Sequence, residues 1–232
     1  MDNAARTRQR VLALFLPIAA VLYISAEALS PKGTDQVITT TATALNVLSI
    51  AARHPAQLYV AGSCALFGLG ALAVSYAAIA ALVRGRGSAL ATVAALIGGI
   101  GAFCGAITNV LVYPNLAAAT AHLTPAAAAR FLVTTFNSGF GQVFLYAYFI
   151  GQYVAPVLMG YALWRSRSVP RWLAALFVIG LYVAEIQSSG GAIVVLYMLP
   201  FAAAMVLLAA RIWQAAALPA SQPQPEAASV PA

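Results

Sequence analysis

Charge is what this chain of 232 residues has least of: twelve Lys and Arg against five Asp and Glu, together 7% of the sequence, where a typical soluble domain carries about a quarter. With 62% hydrophobic residues and a mean hydropathy of +0.89, the polar material cannot cover a water-facing surface, and a soluble globular fold is excluded. Histidine and cysteine are nearly as scarce, two of each. His54 and His122 both fall between apolar blocks, so there is no intramembrane haem pair, no HExxH and no carboxylate-histidine cluster for a metal. No lysine lies inside an apolar block, which removes a retinal-type Schiff base. No Gly-rich phosphate loop or GxSxG elbow is present, and Asn137-Ser138-Gly139 has no histidine further along to activate it. The DxxD motif with which ionisation-type prenyl enzymes hold metal-bound diphosphate is missing too. The expectation is chemistry without a metal or a cofactor.

What is present is apolar sequence in long blocks. A hydrocarbon core of about 30 Å asks for roughly 20 uncharged residues in a helix whose backbone satisfies itself. Six such blocks are readable: about Val11 to Ser30, Leu58 to Val83, Ser88 to Val112 with Pro114 closing it, Phe140 to Trp164, Trp172 to Gln187, and Ala192 to Ile212. Between the first two, the Ala- and Thr-rich stretch Thr39 to Arg53 predicts a short helix on the membrane surface or over the bundle. Between the third and fourth, Thr124-Pro125 has the form of a helix start and predicts a second short helix on the same side. The fold class is all-α, a polytopic integral membrane protein. Residues 1–213 form one transmembrane domain, and 214–232, mostly Pro, Ala, Gln and Ser, form a disordered tail.

The basic residues orient the chain. Arg6, Arg8, Arg10, Arg84, Arg86, Arg165, Arg167, Arg171 and Arg211 fall on one side of a six-span arrangement, and only Lys32, Arg53 and Arg130 on the other. An excess of nine over three places both termini in the cytoplasm of a cell-membrane protein. Since these charges sit in short gaps between spans, the net +7 signals orientation in a bilayer and not a nucleic-acid partner.

Gly98, Gly99, Gly101 and Gly105 in the third block, and Ala61, Ala65 and Gly68 in the second, are small residues at helical spacing. They predict close packing of the second span on the third. Cys64 and Cys104 fall at similar depth, either paired or buried as small apolar residues. Pro17, Pro156 and Pro200 lie inside spans.

Two carboxylates remain inside the spans, Glu27 and Glu185, and a charge in hydrocarbon is costly unless paired or neutral. Counted from the outer boundaries, both lie roughly 5 Å deep at 1.5 Å per residue. Tyr23 sits four residues before Glu27, and Tyr182 three before Glu185, each one turn deeper on the same face. Asn109 and Gln142 reach the same layer. In the fourth span, Gln142, Tyr146, Phe149 and Tyr153 share one stripe, which is either helix packing with an interfacial aromatic belt or the wall of a pocket. In a dry pocket a glutamic acid is pushed toward its protonated form and acts as a proton donor, while ring faces stabilise a cation. Three readings of the acids stand: a catalytic pair, a proton or substrate site of a carrier, and carboxylates that snorkel to the interface or pair with Arg53 or Arg130.

The hairpins Leu82-Val83-Arg84-Gly85-Arg86-Gly87 and Ala162 to Trp172, with Arg165-Ser166-Arg167-Ser168-Val169-Pro170-Arg171 at its centre, resemble those of actinobacterial six-helix integral membrane proteins. The two intramembrane acids are similar in kind to those of small membrane-bound terpene cyclases of natural-product pathways, which protonate a prenyl alkene or epoxide. That resemblance implies acid-initiated cyclisation or isomerisation of a lipophilic prenyl substrate drawn from the bilayer. Glu185 would be the donor and Glu27 the second acid, with Tyr23, Asn109, Gln142, Tyr146, Phe149, Tyr153 and Tyr182 around the substrate. The alternative is a small transporter or an accessory packing protein.

Overall fold

In a computed structural model, residues 3–34, 38–186 and 192–217 are described. Among them are eight helices and no strand: α1 (Asn3–Leu29), α2 (Thr41–Ala51), α3 (Pro55–Leu82), α4 (Ser88–His122), α5 (Pro125–Asn137), α6 (Gly139–Ser166), α7 (Arg171–Ile186) and α8 (Ala192–Ala217). Five of these, α1, α3, α4, α6 and α8, are long and apolar enough to cross a membrane. The apolar α7 has 16 residues, about 24 Å of helix. Helix α8 runs through Gln214 to Ala217, so the start of the expected tail is helical, and residues 218–232 lie outside the described residues.

Helices α1, α3, α4, α6, α7 and α8 close into a ring in which each packs on the next and α8 returns to α1. Neighbours run antiparallel. Gly68 of α3 meets the α1 backbone at Leu22 and Tyr23, and Gly160 of α6 meets Ala174 and Val178 of α7. The turn between α3 and α4 uses Gly87 at φ 102°, where a Cβ would also stand 3.0 Å from the Ala162 carbonyl oxygen, so two features of one position call for glycine.

Two expectations need correction. Pro114 does not close the third span: α4 continues through it to His122. Proline forfeits one helical hydrogen bond and crowds the preceding turn, about 3 kcal/mol or more, and tertiary packing offsets that cost. Gly62 of α3 leaves space into which Tyr113 and Pro114 press, a Cβ there standing 3.0 Å from either, and the Tyr113 hydroxyl accepts a hydrogen bond of 3.1 Å from Ser30. The extension then carries Leu116, Ala117 and Ala119 into a second apolar core with Val47 and Leu48 of α2 and Ala128, Ala129 and Leu132 of α5. These three segments form a cap at the end of the ring opposite the chain termini.

The second correction concerns the glycines. Helices α3 and α4 do pack closely, but Gly101 and Gly105 face α6, against Gly151 and Tyr148, and Gly68 faces α1. Gly98 and Gly99 are the two that face α3: Gly98 leaves room for the Tyr76 ring, whose carbons lie 2.7 Å from where a Cβ would stand, and a Cβ at Gly99 would stand 3.8 Å from the Ala73 carbonyl oxygen. Helix α4 has a neighbour on each side, and a stripe of small residues does not say which one it serves.

Candidate functional site

The buried face of α1 runs Leu16, Ala19, Ala20, Tyr23 and Ala26, at the spacing of three and four that keeps one side of a helix inward. Tyr23 is 3% exposed. Its ring stands edge-on to Phe201 of α8, centroids 6.1 Å apart at 86°, and its hydroxyl reaches that of Tyr148 on α6 at 3.5 Å. The Tyr148 ring fills the gap left by Gly105. From Tyr148 a row of rings continues along α6 and onto α7: Phe149 at 5.6 Å, Tyr153 stacked on it at 6.1 Å, and Tyr182 at 5.8 Å. The Tyr182 hydroxyl donates to the Tyr153 carbonyl.

This row joins the two tyrosines that sequence reasoning paired with acids. Glu27, half-buried, lies one turn beyond Tyr23. Glu185 occupies the last turn of α7, one turn beyond Tyr182, and its side chain lies outside the described residues. Phe149, Tyr153 and Tyr182 thus belong to one aromatic assembly with Tyr23.

The remaining members of the expected site are placed differently. Asn109 donates to the carbonyl of Gly105 in its own helix, 2.9 Å, and Gln142 donates to the Phe136 carbonyl at the end of α5, 2.9 Å. Both amides satisfy helix backbone. Tyr146 is 61% exposed, alongside exposed Val143 and Ile150, on a face that meets the surroundings of the ring and not its interior. Helix α6 instead turns Gln152, Ala155 and Met159 inward, all buried, on the stripe that continues from Tyr148. Gln152 was not foreseen. It is 2% exposed, and its Nε2 has no hydrogen-bond partner among the described residues. Its signal in the sequence is an amide in the middle of an apolar helix, next to a glycine that lets α4 approach.

A second contact crosses the ring closer to the end that carries the chain termini. Tyr76 of α3, seated over Gly98, meets Phe177 of α7 edge-on, centroids 6.4 Å apart at 80°. Cys64 and Cys104 are both free thiols, the first half-buried and the second buried, so of the two readings the unpaired one is what the structure shows.

Comparison with protein-family models, with curated proteins and with solved structures finds no match. Five apolar helices with a ring of packed interiors define a multi-pass helical membrane protein.

Proposed function

We propose that this chain is a cell-membrane enzyme that cyclises or isomerises a lipophilic prenyl substrate by proton donation. In this reading α7 also crosses the bilayer, giving six spans with both termini in the cytoplasm and the cap outside. The observation that carries it is the aromatic row from Tyr23 through Tyr148, Phe149 and Tyr153 to Tyr182, with a glutamate position one turn beyond each end.

A carboxylic acid kept protonated by a dry setting transfers its proton to an alkene carbon. The π pair forms the new C–H bond, a tertiary cation results, and the acid becomes a carboxylate. A second alkene of the substrate attacks the cation, and loss of a proton to a carboxylate restores a neutral product, so no oxidant or metal is needed. Ring faces lower the energy of the cation while it lasts. Glu185 is the donor in this scheme and Glu27 the acceptor or orienting acid. A carrier would require solute to part both contacts that cross the ring, Tyr23 with Tyr148 and Tyr76 with Phe177, which favours the enzyme.

The test is turnover of linear prenyl alcohols and prenylated quinones by purified protein in nanodiscs. Glu27→Gln and Glu185→Gln keep shape and remove the transferable proton, so each is expected to lower turnover by roughly 10²-fold or more. Wild-type turnover in both variants rejects the scheme.

A further inference from the structure

Outside the aromatic assembly, at the cap end of α1, a cleft of about 410 Å³ opens between the loop after α1, the end of α2 and the start of α3. Lys32, Arg53, His54 and Gln57 line it, with Ser30 and Ala28 on the α1 side. Three of the five basic or imidazole side chains outside the cytoplasm-assigned turns therefore gather around one opening. The first turn of α3 begins there. His54 is its N-cap residue and makes no side-chain capping bond, and Pro55 follows at the first helical position. The start of a helix of 28 residues thus brings uncapped backbone N–H groups and the positive end of its dipole to the same cleft. Arg53 is held by a bond of 3.1 Å from its Nε to the Ser49 carbonyl. Ser30 is fixed as a buried wall by its bonds to the Ala26 carbonyl and the Tyr113 hydroxyl. Among the described residues, no acidic side chain lines the opening.

We propose that this cleft binds a phosphate group, with Lys32 and Arg53 as charged donors, His54 and Gln57 as further donors and the α3 N-terminus beneath. Lysine serves as a point charge and arginine as a planar donor of several N–H groups, and phosphate suits both. The inference is independent of the proposed reaction. Two sources supply this chemistry: the head group of an anionic phospholipid, and a soluble phosphate or diphosphate. Placed at the cap edge of the ring, the cleft fits a head group whose chains lie along α1 and α3.

The experiment uses the full chain. Retention of phosphatidylglycerol against phosphatidylcholine is read by native mass spectrometry of protein released from mixed nanodiscs, and binding of inorganic pyrophosphate is read by titration in phosphatidylcholine nanodiscs. Wild type is compared with Lys32→Gln, Arg53→Gln, their double variant, and Arg130→Gln, which removes a cap cation outside the cleft. Each single cleft variant is expected to weaken the preferred ligand about tenfold, as loss of a hydrogen bond to a charged group does, and Arg130→Gln by less than twofold. Loss confined to phosphatidylglycerol identifies a head-group site. Loss in the pyrophosphate arm, with pyrophosphate displacing the lipid, identifies a soluble phosphate. Equal behaviour of wild type and a monodisperse double variant in both arms, or an equal loss in Arg130→Gln, overturns the site.

Discussion

The hydroxyls of Tyr23 and Tyr148 stand 3.5 Å apart although 125 residues separate them, and their helices, α1 and α6, face each other across the ring. Neither helix is the other's neighbour in that ring, so the pair ties opposite walls together. Gly105 makes it possible by leaving the space that the Tyr148 ring occupies.

The ring and the hydroxyl are separable by substitution. Tyr148→Phe keeps the ring and the row to Phe149, and removes a hydrogen bond at the long end of the range. It is expected to cost below about 1 kcal/mol. Tyr148→Ala empties the space beside Gly105 and, the ring being half-buried, is expected to cost about 2–3 kcal/mol, below the range of a fully buried aromatic truncation. Thermal unfolding of the two variants in detergent checks the contrast. Equal midpoints would mean that the ring is not a packed element of the interior.

A second pair of substitutions asks whether α4 and α6 touch backbone to backbone. An added Cβ at Gly101 would run into the Gly151 Cα, whereas one at Gly70 meets nothing within 4 Å. Gly101→Ala is expected to destabilise by about 1–3 kcal/mol through overpacking. Gly70→Ala is expected to be neutral or to stabilise by up to about 1 kcal/mol through helix propensity. The same unfolding measurement decides: a lowered midpoint for Gly101→Ala beside an unchanged or raised one for Gly70→Ala is the expected outcome.

The two substitutions also show where sequence reasoning stops. Charge-free blocks and the basic gaps between them marked the apolar helices. Thr124-Pro125 marked the start of α5, where the threonine oxygen accepts the Ala127 N–H at 3.4 Å. Rotation of each helix was not legible. In a soluble protein the polar face tells which side is out, but in a bilayer both faces are apolar and packing shape alone distinguishes them. That is why the sequence pattern points to Gln142 and Tyr146 on α6 while Tyr148 and Gln152 turn inward. Continuation of α4 through Pro114 was hidden for a related reason. The local cost of proline is readable from one residue, while the compensating gap at Gly62 lies 52 positions away, as the numbering shows.

The cap and the ring have separate apolar cores, so the cap should loosen alone. Thr40 accepts the Thr43 N–H at 3.2 Å at the start of α2, and Thr124 does the same for α5. Thr40→Ala and Thr124→Ala are each expected to cost about 1 kcal/mol. Hydrogen exchange should rise in α2, α5 and residues 115–122 of α4, with protection of α3 and α6 unchanged. Equal loss of protection throughout would show that cap and ring unfold as one unit.

Parity of the spans is the remaining question, and it turns on α7. If only the five longer apolar helices cross, the two ends of the chain fall on opposite sides of the membrane; if α7 crosses as well, they fall on the same side. The distribution of Lys and Arg, nine against three, predicts the second case with both ends in the cytoplasm. In a background of Cys64→Ala and Cys104→Ala, single cysteines at Ala4, Gln214 and Ala121, all exposed, report on the two ends and the cap. In intact cells a membrane-impermeant maleimide is expected to label Ala121→Cys only. Ala4→Cys and Gln214→Cys should react once the cells are opened. Labelling of Gln214→Cys from outside, with Ala4→Cys protected, would leave α7 as a helix that packs between α6 and α8 without crossing, and would move the acid at its end away from the outer leaflet.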